Sequence, residues 1–197
     1  MPYVFKIMKT LLITILCCCW IAFSGFHVST AAAKNKAEIV DIEIGQDPDN
    51  LKVSFSIQDC FTPSMEEAIQ SGVPTTFRIL AVLEKPGELF FSTLVLDVVL
   101  EHTIKYDYLR NEYHVHLPEN SEATLVTKDF IQARRWMSTV KDLPLIPLWR
   151  LEKDQAYELR IKAELSKVEL PLFFRYIFFF VSLWDFETDW QKATFSL

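Results

Sequence analysis

Tyr157-Glu158-Leu159-Arg160-Ile161-Lys162-Ala163-Glu164-Leu165 is the stretch that decides the fold. Its apolar residues alternate with charged residues without a break. Successive side chains of a β-strand point to opposite faces of the sheet, so this period of two predicts a strand with one buried and one solvated face. We therefore expect the core to be built from strands of this kind.

The same alternation recurs in other parts of the chain. Residues 40–44 and 51–57 alternate apolar with polar side chains, and Asp47-Pro48-Asp49-Asn50 between them has the residue types of a turn. These two runs are expected to form an antiparallel pair. Further strands are predicted over Thr76–Leu83 and in a last segment that ends with residues 194–197.

A hairpin is predicted around a two-residue loop, Arg110-Asn111. An odd loop length would set apolar residues against polar ones along the whole ladder, which burial of one face forbids. The expected partners are Tyr108 with Tyr113, Tyr106 with Val115 and Ile104 with Leu117 on one face, and Asp107 with His114 and Lys105 with His116 on the other.

Two short helices interrupt the strands. Ser64-Met65-Glu66-Glu67 has the spacing of a capping box, and Gly72 suits the position after the end of that helix. A second helix is predicted to open at Thr127-Lys128-Asp129, to extend through Val140 and to stop before Leu143-Pro144.

These elements predict a mainly β fold of β-sandwich-like antiparallel sheets with two or three short helices. An α+β fold is the alternative. Residues 34–197 have the length of a single domain, and no repeat or low-complexity linker divides them.

The N-terminus has the order of an export signal. Positive residues precede the apolar run 11–26, and Ala31 and Ala33 occupy the A-x-A positions of a cleavage site. We expect residues 1–33 to be a signal peptide and the domain to be periplasmic or envelope-associated. In the alternative, the run stays uncleaved and attaches the protein to the inner membrane.

Removal of the signal makes the domain more acidic. Lys6 and Lys9 leave, so 20 basic residues become 18 against 26 acidic ones, a net charge of about −8. Nucleic acid and anionic lipid headgroups require a basic surface, so neither is expected as the main partner. Cys60 is the one cysteine outside residues 1–33, and its apolar context predicts a buried thiol rather than a nucleophile.

Catalytic and cofactor-binding motifs are missing from the sequence. It contains no G-x-S-x-G elbow, P-loop or dinucleotide fingerprint, and we expect no cofactor and no enzymatic activity. His114 and His116 are predicted to lie about 7 Å apart on one strand face, with Asp107 opposite His114. This is a weak zinc set, because Lys105 is expected opposite His116, and a solvated polar face is the favoured interpretation.

The segment between Pro171 and Trp184 has Arg175 and Ser182 as its only polar residues. Packing against the domain's own sheet is the favoured interpretation; the alternative is an exposed patch for a protein partner or a membrane surface. Trp184, Phe186 and Trp190 share parity, so an extended strand places all three on one face; packing in the core is the favoured interpretation, and a ligand platform is the alternative. The patch candidates are Phe174, Arg175, Phe178, Phe179 and Trp184.

Five segments of the sequence have the signature of one family: Glu66–Phe77, the Tyr106–Tyr113 hairpin, Phe130–Met137, Ala163–Pro171 and Trp184–Trp190. They resemble the exported bacterial proteins of the domain of unknown function 4390 family. The resemblance covers nearly all of the chain after the signal. It implies an envelope protein of Gram-negative-type bacteria with no assigned activity, whose gene is often found near sensor histidine kinases of the nitrogen-regulation type.

The leading function hypothesis is a non-enzymatic protein-interaction module of the envelope, accessory to a membrane sensor kinase. The first alternative is a β domain that binds a small apolar ligand or lipid. A metal-dependent enzyme is the second alternative. The sequence leaves the identity of any ligand or partner open.

Overall fold

A computed structural model of the chain describes residues 37–87, 91–120, 122, 124–166 and 186–197. All of them belong to one compact unit, Lys34–Leu197. The elements are β1 (Glu38–Gln46), β2 (Asn50–Gln58), α1 (Pro63–Gln70), β3 (Thr75–Pro86), β4 (Ser92–Asp107), β5 (Glu112–His116), β6 (Thr124–Thr127), α2 (Phe130–Ser138), β7 (Thr139–Pro147), a turn of 3-10 helix (Leu148–Arg150), β8 (Ala156–Leu165) and β9 (Gln191–Ser196).

The strands form two antiparallel sheets around one hydrophobic core. The smaller sheet has the order β1-β2-β7, and the larger has the order β6-β5-β4-β3-β8-β9. Buried side chains of both sheets belong to the same apolar cluster. The prediction of a mainly β fold with short helices is confirmed, in preference to the α+β alternative.

Strand β8 has the two faces that its alternation predicts. Tyr157, Leu159, Ile161 and Ala163 are buried in the core. The intervening charged side chains lie on the outer face, where Arg160 contacts Glu84 of β3. Because β8 pairs with both β3 and β9, this stretch is an interior strand of the larger sheet.

The β1–β2 hairpin is also confirmed. Asp47 accepts hydrogen bonds from the N–H groups of Asp49 and Asn50, at 2.8 and 2.7 Å, and its other carboxylate oxygen lies 2.8 Å from Lys52 Nζ. The Lys52 ammonium, followed by the two N–H groups, lowers the pKa of Asp47 to about 2. The carboxylate is thereby suited to hold the turn closed.

The β4–β5 hairpin has the predicted parity but a different register. Tyr106, not Tyr108, faces Tyr113, so the connection has four residues, 108–111. Asp107 Oδ1 accepts hydrogen bonds from the N–H groups of Leu109 and Arg110, which closes this longer turn. The turn is completed by Asn111 in the left-handed region, at φ 55°. The predicted two-residue loop is therefore wrong, because a side-chain-capped turn replaces the last rung of the ladder.

Helix α1 begins earlier than the capping box predicts. Thr62, not Ser64, is its N-cap, and the Thr62 hydroxyl accepts a hydrogen bond from Met65 N at 3.1 Å. Pro63 follows at the first helical position, where its missing N–H costs nothing. Gly72 ends the helix as predicted, with φ +79° and its N–H donated to Ile69 O.

Helix α2 ends earlier than predicted. Asp129 caps its start by accepting a hydrogen bond from Ile131 N at 2.9 Å, but the helix stops at Ser138. Val140, predicted to be helical, is buried in β7. Pro144 and Pro147 lie in the same strand, which an edge position tolerates because no further strand needs their N–H groups.

Candidate functional site

The zinc set predicted from the hairpin is not assembled. The observed register places Lys105 opposite His114, and Asp107 faces Glu112 instead of His114. His116 contacts Thr124 at 3.3 Å on the neighbouring strand. Within the described ranges, no three His, Cys, Asp or Glu side chains are placed to bind a metal ion.

Cys60 lies in the core, as the sequence predicts. Its Sγ donates to Ile57 O at 3.4 Å, and burial raises the pKa of the thiol to about 12. A thiol with this pKa stays protonated at neutral pH and is a poor nucleophile.

Several residues predicted to be functional lie outside the described part of the chain. They are the cleavage-site candidates Ala31 and Ala33 and the patch candidates Phe174, Arg175, Phe178, Phe179 and Trp184.

Among the residues that are described, no helix is long and apolar enough to cross a membrane.

The predicted common face of Phe186 and Trp190 is wrong. Glu187 bridges Glu164, whereas Gln191 pairs with Ile161, so one extra residue lies between these two rungs. A one-residue insertion reverses which side chains face the core. Phe186 is accordingly buried, while Trp190 is 39% exposed and lies against the cationic groups of Arg160 and Lys162.

A buried pair of titratable groups joins β4, the loop after β5, and α2. His102 is fully buried, and the Glu119 side chain is 10% exposed. His102 Nε2 lies 2.8 Å from Glu119 Oε1, and its Nδ1 lies 3.0 Å from Met137 O in the last turn of α2. The imidazole therefore occupies an otherwise apolar face between the sheet and the helix end.

The partner of His102 Nδ1 fixes the proton on that nitrogen. A carbonyl oxygen can only accept, so Nδ1 carries a proton and donates it to Met137 O. His102 Nε2 lies 2.8 Å from Glu119 Oε1, a short polar contact whose alignment is poorer than that of a regular hydrogen bond. A close polar partner lowers the cost of burying both groups.

Glu119 keeps its negative charge more readily than an ordinary glutamate. Burial opposes its ionisation, but the hydrogen bond and the charge of His102 outweigh burial, and the net effect is a lowered pKa for the Glu119 carboxyl. The pair connects three elements of the fold, β4, the loop after β5 and α2. Because both groups are buried, the arrangement is suited to a structural latch.

We expect this pair to make stability depend on pH. A lowered folded-state pKa stabilises the protein above the ordinary value of 4.5, and that stabilisation is lost as the pH falls through the folded pKa. Urea unfolding between about pH 6 and about pH 3 should show a steeper loss for the native sequence than for Glu119→Gln. Equal slopes would assign the acid sensitivity to other carboxylates.

The second candidate feature is a cleft where the ends of β1 and β9 meet. Its volume is about 720 Å³, and it lies open on one side. The charged residues along it are the neighbours Lys153 and Asp154, whose opposite charges offset each other. Its apolar wall consists of Ile44, Leu51, Leu148, Leu151, Phe195 and Leu197.

Trp149 lies at the border of this cleft and is 82% exposed. It belongs to the 3-10 turn after β7, which a backbone hydrogen bond from Leu148 N to Asp49 O ties to the β1–β2 hairpin. Trp149 also lines a smaller recess of about 410 Å³, together with Pro48 and Pro147 among others. We call the larger recess, with its Trp149 border, the Trp149 cleft.

The family described as Domain of unknown function (DUF4390) matches residues 34–194. The chain belongs to this family. No curated protein and no solved structure matches the chain significantly. Membership of DUF4390 confirms the resemblance in the sequence and brings no activity with it, because the description of the family assigns none.

Sequence reasoning did not identify the main features of this DUF4390 domain. The burial of His102 could have been predicted, since this residue stands between Leu100 and Ile104 at the two-residue spacing of a buried face. The burial of the Glu119 side chain could not, because Glu119 lies in a loop without periodicity. Trp149 also follows no pattern, and only its tertiary position shows that it stays exposed beside an apolar cleft.

Proposed function

We propose that this DUF4390 chain is a non-enzymatic protein-interaction module of the cell envelope, with the Trp149 cleft as its contact surface. The observation that carries the proposal is the exposure of Trp149 at the border of an apolar recess. Tryptophan combines a large apolar area with a polar N–H group and is enriched among the residues that dominate binding energy. An exposed tryptophan beside apolar walls is therefore typical of a contact surface.

The location in the envelope is supported by the sequence. Residues 1–33 have the order of a signal peptide, and the domain that follows is acidic. The resemblance to exported proteins whose genes often lie near sensor histidine kinases is the ground on which we propose a sensor kinase of the membrane as the partner. This association is genetic in kind, and the contact surface is the part of the proposal that rests on geometry.

The test is co-purification of the tagged full chain from the envelope of its own bacterium. We expect Trp149→Ala to reduce recovery of its specific partner at least about tenfold, because truncating a tryptophan that dominates an interface costs about 2 kcal/mol or more. Leu109→Ala is the matched control, since Leu109 is 99% exposed at the distant hairpin tip. Equal recovery with both variants would exclude the Trp149 cleft as the contact surface.

A second candidate function is binding of a small apolar ligand or lipid. The volume of about 720 Å³ falls within the range of about 300–1,000 Å³ typical of small-molecule sites. The open side of the cleft favours a protein segment, because small-molecule sites usually enclose most of their ligand. Native mass spectrometry of chain purified from its own bacterium separates the two, since a bound lipid appears as a discrete added mass.

A further inference from the structure

We propose that the partner supplies an extended segment that adds to β9 as a further strand, and that alternate apolar side chains of this segment enter the Trp149 cleft. This inference rests on the proposed interaction function and specifies how the partner binds. Strand addition takes its affinity from main-chain hydrogen bonds and its specificity from recesses for alternate side chains.

The edges of the two sheets differ in how well they resist such addition. Among the described strands, β1, β7, β6 and β9 are edge strands. Strand β1 is interrupted by a register shift and by Asp41 at φ 55°. Strand β7 has two register shifts against β2 and contains Pro144 and Pro147. Bulges and prolines of this kind are the usual protection of an edge.

The other two edges belong to the larger sheet. Strand β6 has four residues and offers a short template. Strand β9 has six residues and pairs with β8 from Gln191 to Ser196 without a register shift or a proline. Lys192 is the charged residue of this strand, and its ammonium lies 2.9 Å from Glu158 on the neighbouring β8. Strand β9 is thus the most regular edge within the described part of the sheets.

The position of the Trp149 cleft defines the chemistry of the added segment. Phe195, Ser196 and Leu197 all line the cleft; Phe195 and Leu197 do so with partly buried apolar side chains, whereas Ser196 is exposed, as is Thr194. A strand placed beside β9 continues both faces, so its residues next to Phe195 point toward the cleft and Trp149. These positions require large apolar side chains without charge, and the intervening positions require polar ones.

A second copy of the chain fits this edge less well. Two β9 strands can pair antiparallel with matching faces over five of their six residues, and these longest registers set Phe195 opposite Gln191 or Ala193 of the other copy. A polar or small side chain would then lie over the apolar wall and leave the cleft unfilled. A foreign segment with large apolar residues at alternate positions fills it.

The test starts from peptides selected out of a displayed random library against the full chain. We expect the binders to alternate apolar with polar residues, and their affinity is measured by fluorescence anisotropy. Ala193→Pro and Thr194→Pro provide the edge variants. The N–H groups of neighbouring residues in β9 point alternately toward β8 and toward the open edge. Proline has no N–H, so one of these two substitutions removes a hydrogen bond to β8, and the other removes a donor that the added segment would use. Thermal unfolding identifies the variant that stays folded.

The folded proline variant and Trp149→Ala should each weaken the selected peptides about tenfold or more, while Leu109→Ala leaves them unchanged. Failure to select any peptide, or binding that survives the folded proline variant, would overturn strand addition. If the envelope partner still depends on Trp149 in that case, the proposed interaction function stands. A chain that is dimeric in solution and becomes monomeric with the proline variant would identify a second copy as the occupant and overturn the foreign segment.

Discussion

Glu119→Ala should lower the free energy of unfolding by about 1–3 kcal/mol. The substitution leaves His102 Nε2 buried without its partner, in a site where the ring is fully shielded from water. Removing one member of a buried pair costs more than the pair contributes, because the remaining polar group keeps its full desolvation penalty. Urea unfolding monitored by circular dichroism measures the loss.

The matched control for this prediction is Glu122→Ala. Glu122 lies in the same loop but is exposed, so its removal should change stability by less than about 0.5 kcal/mol. Replacing both partners, as in His102→Leu with Glu119→Leu, should cost less than the sum of the single changes, since no charge remains unpaired. Additive losses would show that the two side chains do not act as a pair.

Phe186→Ala should be more destabilising still, by about 3–5 kcal/mol. Phe186 is fully buried and meets Phe77 edge to face, with ring centroids 4.7 Å apart. Its truncation removes apolar area from the core and leaves a cavity that the surrounding strands cannot fill completely. Phe186→Leu should cost less, which keeps the comparison measurable if the alanine variant does not fold.

Trp190→Ala is the control that tests the register as well as the energy. Trp190 is partly exposed on the outer face, where its contacts with Arg160 and Lys162 are worth about 0.5–1 kcal/mol each. We therefore expect a clearly smaller loss than for Phe186. Equal losses would contradict the extra residue between Glu187 and Gln191 and would restore the common face that simple parity predicts.

The strands with a buried face could be predicted from local pattern. Alternate residues of β8 and of the β1–β2 hairpin are buried, as their period of two predicts, because burial of one face fixes which residues point to the core. The ends of the helices were predicted less well. Thr62 replaced Ser64 as a cap, and α2 gave way to β7 at Thr139, because pairing with β2 outweighed helical spacing.

The site features required the tertiary structure. The hairpin parity followed from the sequence, yet the zinc set built on it was wrong, because the turn capped by Asp107 moved every partner by one rung of the same face. The family was recognisable from the sequence and is confirmed, but it carries no chemistry. Neither pattern nor family indicated a cleft at the meeting point of two sheet edges.

By itself, the sequence determined the alternation of buried and solvated faces, the turn at Asp47 and the burial of Cys60, because each depends on residues close in the chain. Only the tertiary structure decided that His102 meets Glu119 and that Trp149 stays exposed beside Phe195. These placements depend on segments far apart in sequence, and their energies come from packing and desolvation, which no local pattern records.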